Sequence, residues 1–438
     1  MAADARPDGF EELIRTGTIF ALSSGAPPAA IAVVRISGPR ADAALEALAG
    51  ELPEPRRARV AALRFGGEIL DNALVIRFPG PRSATGEDVA ELHLHGGRSV
   101  VAGVLAALGR IEGLRAAEPG EFTRRAFENG RIDLAEAEGL ADLLAAETES
   151  QRRAALALAG GALSRQVEAW QGALLSLAAR VEAELDFSDE DDVGPEPARE
   201  AAESVAALAA DLEAWLARPP AERLRDGLRV VIAGPPNVGK SSLLNVLAGR
   251  EAAITSAVPG TTRDLVEAPT AIGGSPFLLV DTAGLRESAD SVEAIGVERA
   301  RASLAAADLI LWLGEPEDCP DRARAVLVQP KADLGPPGCG ADVAVSALTR
   351  AGIDSLLRIL AERSAELMPL QSEVALNARH RAILAQTLGP LREARGTEDL
   401  LVLAESLRRA RTLLDRITGR AGVEDMLDGL FARFCIGK

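Results

Sequence analysis

The sequence predicts a multidomain α/β chain: an N-terminal α+β domain over residues 1–131, a helical domain in two pieces at 132–226 and 368–438, and a parallel-sheet α/β domain inserted at 227–367. Three observations predict it. A chain of 438 residues holds two to four domains at roughly 100 to 200 residues each. The spacing of apolar residues changes character at Ile132, near Leu228 and again after Leu367. Helical texture brackets the middle segment on both sides, which one split helical domain explains most economically.

From Thr18 to Arg131, short apolar runs (Ala30 to Ile36, Ala73 to Phe78, Val89 to Leu94) alternate with Gly/Pro turns such as Phe78-Pro79-Gly80-Pro81, the texture of strands with tight connections. Further on, Trp170, Leu174, Leu177, Val181 and Leu185 recur three or four residues apart, one face of a helix. A second helix, with Val205, Leu208, Leu212 and Leu216 on its face, follows an acidic, proline-containing break from Asp186 to Pro197. The inserted segment opens on the strand Leu228 to Ala233 and then alternates strands with helices, which implies a parallel sheet with crossover helices. Leu400, Leu403, Leu407, Ala410, Leu414 and Ile417 mark a last amphipathic helix.

Composition narrows the function. Apolar residues at 47% and charged residues at 26% are near the globular average, so the chain is neither disordered nor collagen-like. A formal net charge of −17 argues against a protein that coats nucleic acid by bulk charge, so any RNA contact is local. Cys319, Cys339 and Cys435 are too few and too scattered for a disulfide framework or zinc cluster and suit a reducing, cytoplasmic compartment. Met1 to Phe10 lacks the apolar core of a signal peptide, and no apolar run reaches the roughly 18 residues of a membrane span.

Strand Arg229 to Ala233 runs into Gly234-Pro235-Pro236-Asn237-Val238-Gly239-Lys240-Ser241, the phosphate-loop pattern, and then into an apolar helix from Ser242. Glycines let backbone N–H groups turn towards phosphate oxygens, and the helix N-terminus adds partial positive charge. Lys240 reaches the β- and γ-phosphates, and the Ser241 hydroxyl suits Mg²⁺. A helix-capping glycine turn is the plain alternative, but strand, loop and helix all agree against it. Asp281-Thr282-Ala283-Gly284 closes the strand Phe277 to Val280, where a carboxylate can hold the Mg²⁺ water shell. Between them lies Gly260-Thr261-Thr262-Arg263-Asp264, in which Thr262 can bind the metal while a γ-phosphate is present. Three elements in this order indicate a Ras-like switch GTPase. Asp333, after Lys331 and Ala332, can accept both guanine N–H donors, and Ser346-Ala347 ends a later strand. Pro330 stands where such sites usually carry Asn, which predicts weaker guanine binding. Leu285 occupies the position of a water-orienting Gln, so the hydrolytic group comes from elsewhere. Asn237 is either a turn residue or a ligand for a monovalent cation.

These residues resemble one family, the tRNA modification GTPases called MnmE or TrmE, over nearly the whole chain. The most specific segments are Val34-Arg35-Ile36-Ser37-Gly38, Phe78-Pro79-Gly80-Pro81, Thr85-Gly86-Glu87-Asp88, His95-Gly96-Gly97, Pro119-Gly120-Glu121-Phe122, Asp133-Leu134-Ala135 and the terminal Phe434-Cys435-Ile436-Gly437-Lys438. The resemblance implies a folate-binding and dimerising N-terminal domain, and modification of the tRNA wobble uridine at carbon 5. It implies a reduced folate (5-formyl- or 5,10-methylene-tetrahydrofolate), and a homodimer working with the FAD-dependent MnmG (GidA) in a heterotetramer or larger assembly. It places K⁺ on Asn237, Ser256, Val258 and Thr261, Mg²⁺ on Ser241 and Thr262, and the water-orienting acid at Glu293. The nucleotide would also lie against Val238, Gly239, Ser242, Ala257, Pro259, Gly260, Asp281 to Gly284, Lys331, Asp333, Ser346 and Ala347. Folate would meet Arg35, Glu91, Arg131 and Lys438. Cys435 is implicated in the chemistry by resemblance, whereas its own setting beside Phe431 and Phe434 reads more simply as a packed small hydrophobe.

Other residues have plainer readings. His93 and His95 share one face of a strand, a spacing for metal, but with no third ligand evident a polar contact is expected. The acidic run Asp189 to Asp192 reads as a solvated turn. Arg408, Arg409, Arg411, Arg416 and Arg420 either touch tRNA phosphates or pair with neighbouring acids. Two rival functions stand beside the leading one: a ribosome-assembly or signalling GTPase without covalent RNA chemistry, and an adenine-specific ATPase, which Asp333 disfavours.

Overall fold

The computed structural model describes residues 17–187, 196–249, 267–282, 298, 301–335, 340–369, 374–397, 399–421 and 424–438. By internal contact the chain divides into two compact units, one of residues 1–141 with 418–438, the other of residues 142–417.

The first unit is built on a six-stranded sheet of β1 (Thr18–Leu22), β2 (Ile31–Ser37), β3 (Arg59–Phe65), β4 (Glu68–Phe78), β5 (Val89–His95) and β6 (Leu114–Ala116) in the order β3-β4-β5-β2-β1-β6. Neighbours are antiparallel except β1 and β6. Strand alternation sends Ala32, Val34 and Ile36 into one core with Ala44, Leu45 and Leu48 of helix Ala41–Ala49 and Val104 and Leu108 of helix Arg98–Leu108. Val33 and Arg35 consequently look to the opposite face. Ile19, Ala21, Ala117 and Phe122 form a smaller apolar cluster.

A polar chain ties three sequence segments of this unit together. The Ser37 hydroxyl donates to Glu87 at 2.7 Å, and Arg125 Nη1 donates to both Glu87 carboxylate oxygens at 3.1 Å. Arg125 Nη2 continues to Glu121 at 2.9 Å, and Arg115 Nη1 donates to the other Glu121 oxygen at 2.7 Å. The Val34–Gly38, Thr85–Asp88 and Pro119–Phe122 segments are thus joined by a single half-buried network, in which each charge is satisfied by the next.

The expected boundary at 368 gives all of 368–438 to the helical domain, but residues 418–438 pack in the first unit. Helix Glu424–Phe431 supplies Leu427, Leu430 and Phe431, which with Phe434 meet Leu134 and Ala137. The tail then pairs Ile436 with Pro119 in an antiparallel bridge. Two glycines permit this approach: a Cβ on Gly437 (φ +97°) would lie 2.1 Å from the Leu22 carbonyl oxygen, and one on Gly120 (φ +72°) 2.3 Å from that of Phe431.

In the second unit, helix Ala162–Phe187 buries Trp170, Leu174, Leu177 and Val181, as its spacing predicts. Helix Glu196–Ala217 buries Val205, Leu208 and Leu212, but Trp215 takes the place expected for Leu216. The reason is the neighbouring indole: Trp170 and Trp215 meet edge to face, 5.4 Å between centroids, and Trp170 Nε1 donates to Asp211 at 2.7 Å. Arg381 donates to the carbonyls of Leu216 and Arg218 at 2.7 and 3.0 Å, satisfying the C-terminal end of that helix. Helix Leu400–Thr418 buries Leu403, Leu407, Ala410, Leu414 and Ile417. Arg408 pairs with Glu405 and Arg409 with Glu393, the neighbouring-acid reading of those arginines.

The rest of this unit is a second six-stranded sheet: β7 (Leu228–Ala233), β8 (Glu267–Ile272), β9 (Ser275–Asp281), β10 (Leu309–Trp312), β11 (Ala325–Gln329) and β12 (Val343–Ala344), ordered β12-β11-β10-β7-β9-β8. All pairings are parallel except β8 with β9. Val230 and Ile232 of β7 face one core with Leu243, Leu244 and Leu247, and Val231 and Ala233 face another with Val280, Ile310 and Leu327. Burial on both faces is why these strands read as continuous apolar runs. The connections run to one side of β7 and then to the other, so a crevice opens beyond its carboxyl end.

Burial alone would push the Glu121 carboxyl up, but hydrogen bonds from Arg115 and the Glu118 N–H, with the charges of Arg115 and Arg125, hold it below its ordinary range. A depressed folded value means the carboxylate stabilises the unit above about pH 4.5 and loses that contribution as pH falls through the folded value. Glu121→Gln is therefore expected to lower stability at neutral pH by on the order of 3 kcal/mol. Guanidinium titrations across pH will show the gap to the parent shrinking in acid; a gap independent of pH would contradict the assignment.

Candidate functional site

The crevice beyond β7 holds the phosphate loop. The chain leaves β7 at Gly234, turns through Asn237 (φ +59°) and Gly239 (φ +111°), and enters helix Lys240–Ala248. Lys240 is only 7% exposed, and its Nζ donates to the carbonyls of Pro235 at 2.7 Å and Gly234 at 3.1 Å. The ammonium thus sits folded over the loop, where an anionic phosphate would be the stronger partner. Asp281, 2% exposed at the end of β9, accepts the Ser241 hydroxyl proton at 2.5 Å. This convergence of a carboxylate and a hydroxyl is an all-oxygen pair suited to a hard divalent cation such as Mg²⁺. Thr282 is turned away from the crevice, its hydroxyl donating to the Ile232 carbonyl at 3.0 Å.

The same end of the sheet supplies a cavity of about 530 Å³. Val238, Gly239 and Ser242 form one wall, Pro330, Lys331 and Asp333 a second, and Ala347 a third. Ser346, fully buried, is not part of the lining; its hydroxyl accepts the Thr349 N–H at 3.1 Å and so shapes the loop that carries Ala347. Lys331 Nζ donates to the Asn237 carbonyl at 3.1 Å, bracing the phosphate loop against the base loop. The sequence offered no role for that bond, because it depends on two loops 94 residues apart meeting. Ser256, Ala257, Val258, Pro259, Gly260, Thr261, Thr262, Ala283, Gly284 and Glu293 lie outside the described residues.

A second constellation occupies the sheet face of the first unit opposite its main core. Arg35 on β2 and Glu91 on β5 stand directly across from one another in the strand register, and Arg35 donates Nε and Nη2 to one Glu91 oxygen at 3.0 and 2.9 Å. His93 Nε2 lies 3.3 Å from the other oxygen, and the Phe122 ring sits 5.7 Å from the Arg35 guanidinium carbon. Alternation along β5, which puts residues 91 and 93 on one face, is the signal that could have added His93; nothing in the sequence put Phe122 beneath Arg35. Arg131 donates Nε to the Ser83 carbonyl at 3.2 Å, and the Lys438 N–H donates to the Cys435 carbonyl at 3.2 Å. Of Arg35, Glu91, Arg131 and Lys438, Arg35 and Glu91 are in contact, a cation and a carboxylate that could meet the carboxylates and the N–H donors of a ligand.

His95 pairs through Nδ1 with Asp71 at 2.7 Å, so both histidines make polar contacts, and no metal-holding cluster of three occurs among the described residues. Cys435 is exposed. That corrects the reading of it as a packed thiol: Phe431 and Phe434 take the core positions, rings 6.2 Å apart, and the residue between them and the terminal bridge faces outward. No helix among the described residues is long and apolar enough to cross a membrane.

Comparison with known proteins gives the chain its family. The family model described as GTP-binding protein TrmE N-terminus matches residues 18–131, and that of the MnmE helical domain matches residues 134–435. A protein of Rhizorhabdus wittichii named tRNA modification GTPase MnmE is 61% identical over 427 residues, 96% of each chain. The protein of that name from Erythrobacter litoralis is 57% identical over 96% of this chain and all of its own. Among solved structures, the G domain of the T. maritima FeoB iron transporter is 25% identical over 31% of this chain and 98% of that one, with a TM-score of 0.24. With identity this high over almost the entire length, the chain belongs to the MnmE (TrmE) family of tRNA modification GTPases.

Proposed function

We propose that this protein is the GTP-hydrolysing component of a tRNA wobble-uridine C5 modification system, in which it uses a reduced folate and works with an FAD-dependent partner, MnmG (GidA). The observation that carries the reading is the meeting of Ser241 and Asp281 beneath a phosphate loop, next to a base pocket lined by Asp333. Family membership supplies the RNA substrate class, the folate, the homodimer and the cytoplasmic setting.

The division of labour follows from the residues. Backbone N–H groups of the loop and the helix N-terminus hold the phosphates, Lys240 swings from its two carbonyls onto the β- and γ-phosphates, and Asp333 reads the guanine edge. Ser241 and Thr262 would hold Mg²⁺, which when bound would supply positive charge for the phosphates. Asn237, Ser256, Val258 and Thr261 would hold K⁺, which when bound would supply the kind of charge that an arginine finger gives other GTPases. Glu293 orients the attacking water, a task Leu285 cannot perform. In the first unit, Arg35, Arg131 and Lys438 bind the acidic tail and Glu91 the pterin N–H groups of the folate, with Cys435 in the same one-carbon site.

GTP turnover is expected to be much faster in K⁺ than in Na⁺, since a ring of carbonyl and amide oxygens fits the larger ion; equal rates in the two salts would remove K⁺ from the site. Glu293→Ala should leave nucleotide affinity almost unchanged and lower kcat by on the order of a hundredfold or more, the mark of a group that acts only in the transition state. Isothermal titration with 5-formyltetrahydrofolate should register binding to the parent and a loss of at least tenfold in Arg35→Ala. If the parent binds no folate and Arg35→Ala leaves tRNA modification intact, a timer-type GTPase without covalent RNA chemistry becomes the better description.

A further inference from the structure

Arg408 and Arg409, which the sequence offers for tRNA phosphates, pair instead with Glu405 and Glu393. In a chain of net charge −17 a cationic surface for RNA has to be local, and one occurs on the loop that joins β4 to β5 in the first unit. Arg56, Arg82 and Arg131 are exposed there, and among the described residues none of the three has a carboxylate within ion-pair reach. The acids nearby are engaged already. Glu54 pairs with Arg57, Glu51 with Arg59 and Asp42 with Arg77, each at 3.1 Å, Glu87 holds Arg125, and Asp88 accepts the Gly80 N–H at 2.9 Å.

Two of the three guanidinium groups are anchored on consecutive carbonyls. Arg56 Nη2 donates to the Arg82 carbonyl, and Arg131 Nε donates to the Ser83 carbonyl at 3.2 Å. Consecutive residues lie about 3.8 Å apart, which puts these two groups within roughly 12 Å of one another, and the Arg82 side chain leaves the backbone beside them. The frame beneath is fixed. The Ser83 hydroxyl donates to the Glu87 carbonyl at 2.5 Å, and Asn129 Nδ2 donates to the Thr85 carbonyl at 2.8 Å. Arg56 is held at φ +61°, a left-handed backbone that a non-glycine residue adopts at a cost, by its N–H on the Arg77 carbonyl at 2.9 Å. Its guanidinium carbon lies 5.8 Å from the centre of the Phe78 ring.

Like charges gathered on a fixed frame repel one another until an anion arrives, and side chains already placed lose little freedom when it does. A guanidinium fork matches a phosphate group, and a row of them matches a row of phosphates. We propose that Arg56, Arg82 and Arg131 form a strip that contacts the phosphate backbone of the tRNA. The inference rests on the tRNA-modification reading above, which supplies RNA as the substrate class, and adds the place where this acidic chain meets it. Backbone contacts position an RNA without reading its sequence, so the strip serves every tRNA alike.

Arg131 is also among the residues read as meeting folate, so the test rests on Arg56 and Arg82. Binding of a fluorescently labelled tRNA is measured over a salt series for the full chain, alone and with MnmG. Arg82→Gln, which breaks no contact in the structure, should lower the slope of log Kd against log[salt] by about 0.7 to 0.9. Adding Arg56→Gln should double that change and weaken binding near 0.1 M salt by on the order of tenfold, equally for tRNAs with and without a wobble uridine. Lysine at both positions should restore most of the binding, with 5-formyltetrahydrofolate affinity parental throughout. Glutamine variants with parental affinity and slope, alone and with MnmG, overturn the strip, as does a lysine pair as weak as the glutamine pair, which marks a loop that needs arginine for its shape. Loss of MnmG binding with tRNA affinity kept overturns it in favour of a protein-docking patch, and loss of folate affinity with tRNA affinity kept in favour of a small-anion subsite. A parent that binds no tRNA in either setting overturns the strip alone if it still supports modification, and the functional reading with it if it does not.

Discussion

The nucleotide site depends on the register between β7 and β9. With Ile232 opposite Asp281 in a parallel pair, both strands end at the same edge of the sheet, and the loop leaving one is delivered to the carboxylate closing the other. The Ser241–Asp281 hydrogen bond is the product of that alignment. A slip of β9 by one residue would turn Asp281 to the other face, and it would also turn Phe277 and Leu279 out of one core and Val280 out of the other. Burial on both faces therefore fixes the geometry of the chemistry, with no dedicated contact needed to enforce it.

The first unit solves a different problem. Its constellation lies on an open sheet face, so position comes from polar contacts: Arg35 against Glu91 across the strands, and the run from Ser37 through Glu87 and Arg125 to Glu121 behind it. Phe122 follows Glu121 directly, so the network that fixes the carboxylate also sets the ring beneath Arg35.

Much of this was legible in the sequence, and the limits have physical causes. Strands β2, β4, β5, β7, β9 and β11 announce themselves because apolar period and turn residues are local properties. The phosphate loop is legible because its geometry forces glycine at fixed spacing. The Trp215 substitution for Leu216 was not, since two apolar neighbours one residue apart differ only in which finds a partner across the interface, here Trp170. The assignment of 418–438 failed to appear because the apolar spacing of helix Glu424–Phe431 says that it packs, and nothing in it says against what. Lys331 on Asn237 and Arg35 over Phe122 are meetings of distant segments, visible only once the sheets are assembled. The outward thiol of Cys435 is the converse case, a small side chain whose aromatic neighbours take the available core space.

The tail contacts at Gly120 and Leu22 bear on how the molecule is born. Those grooves are finished early in synthesis, yet the segment that fills them leaves the ribosome only after the whole intervening unit has been translated. Until then the nascent N-terminal body waits with Leu134 and Ala137 incompletely covered, apolar surface of the kind that makes half-made folds aggregation-prone. The second unit, continuous in the chain, labours under no such delay, so it is the part able to reach its native packing first.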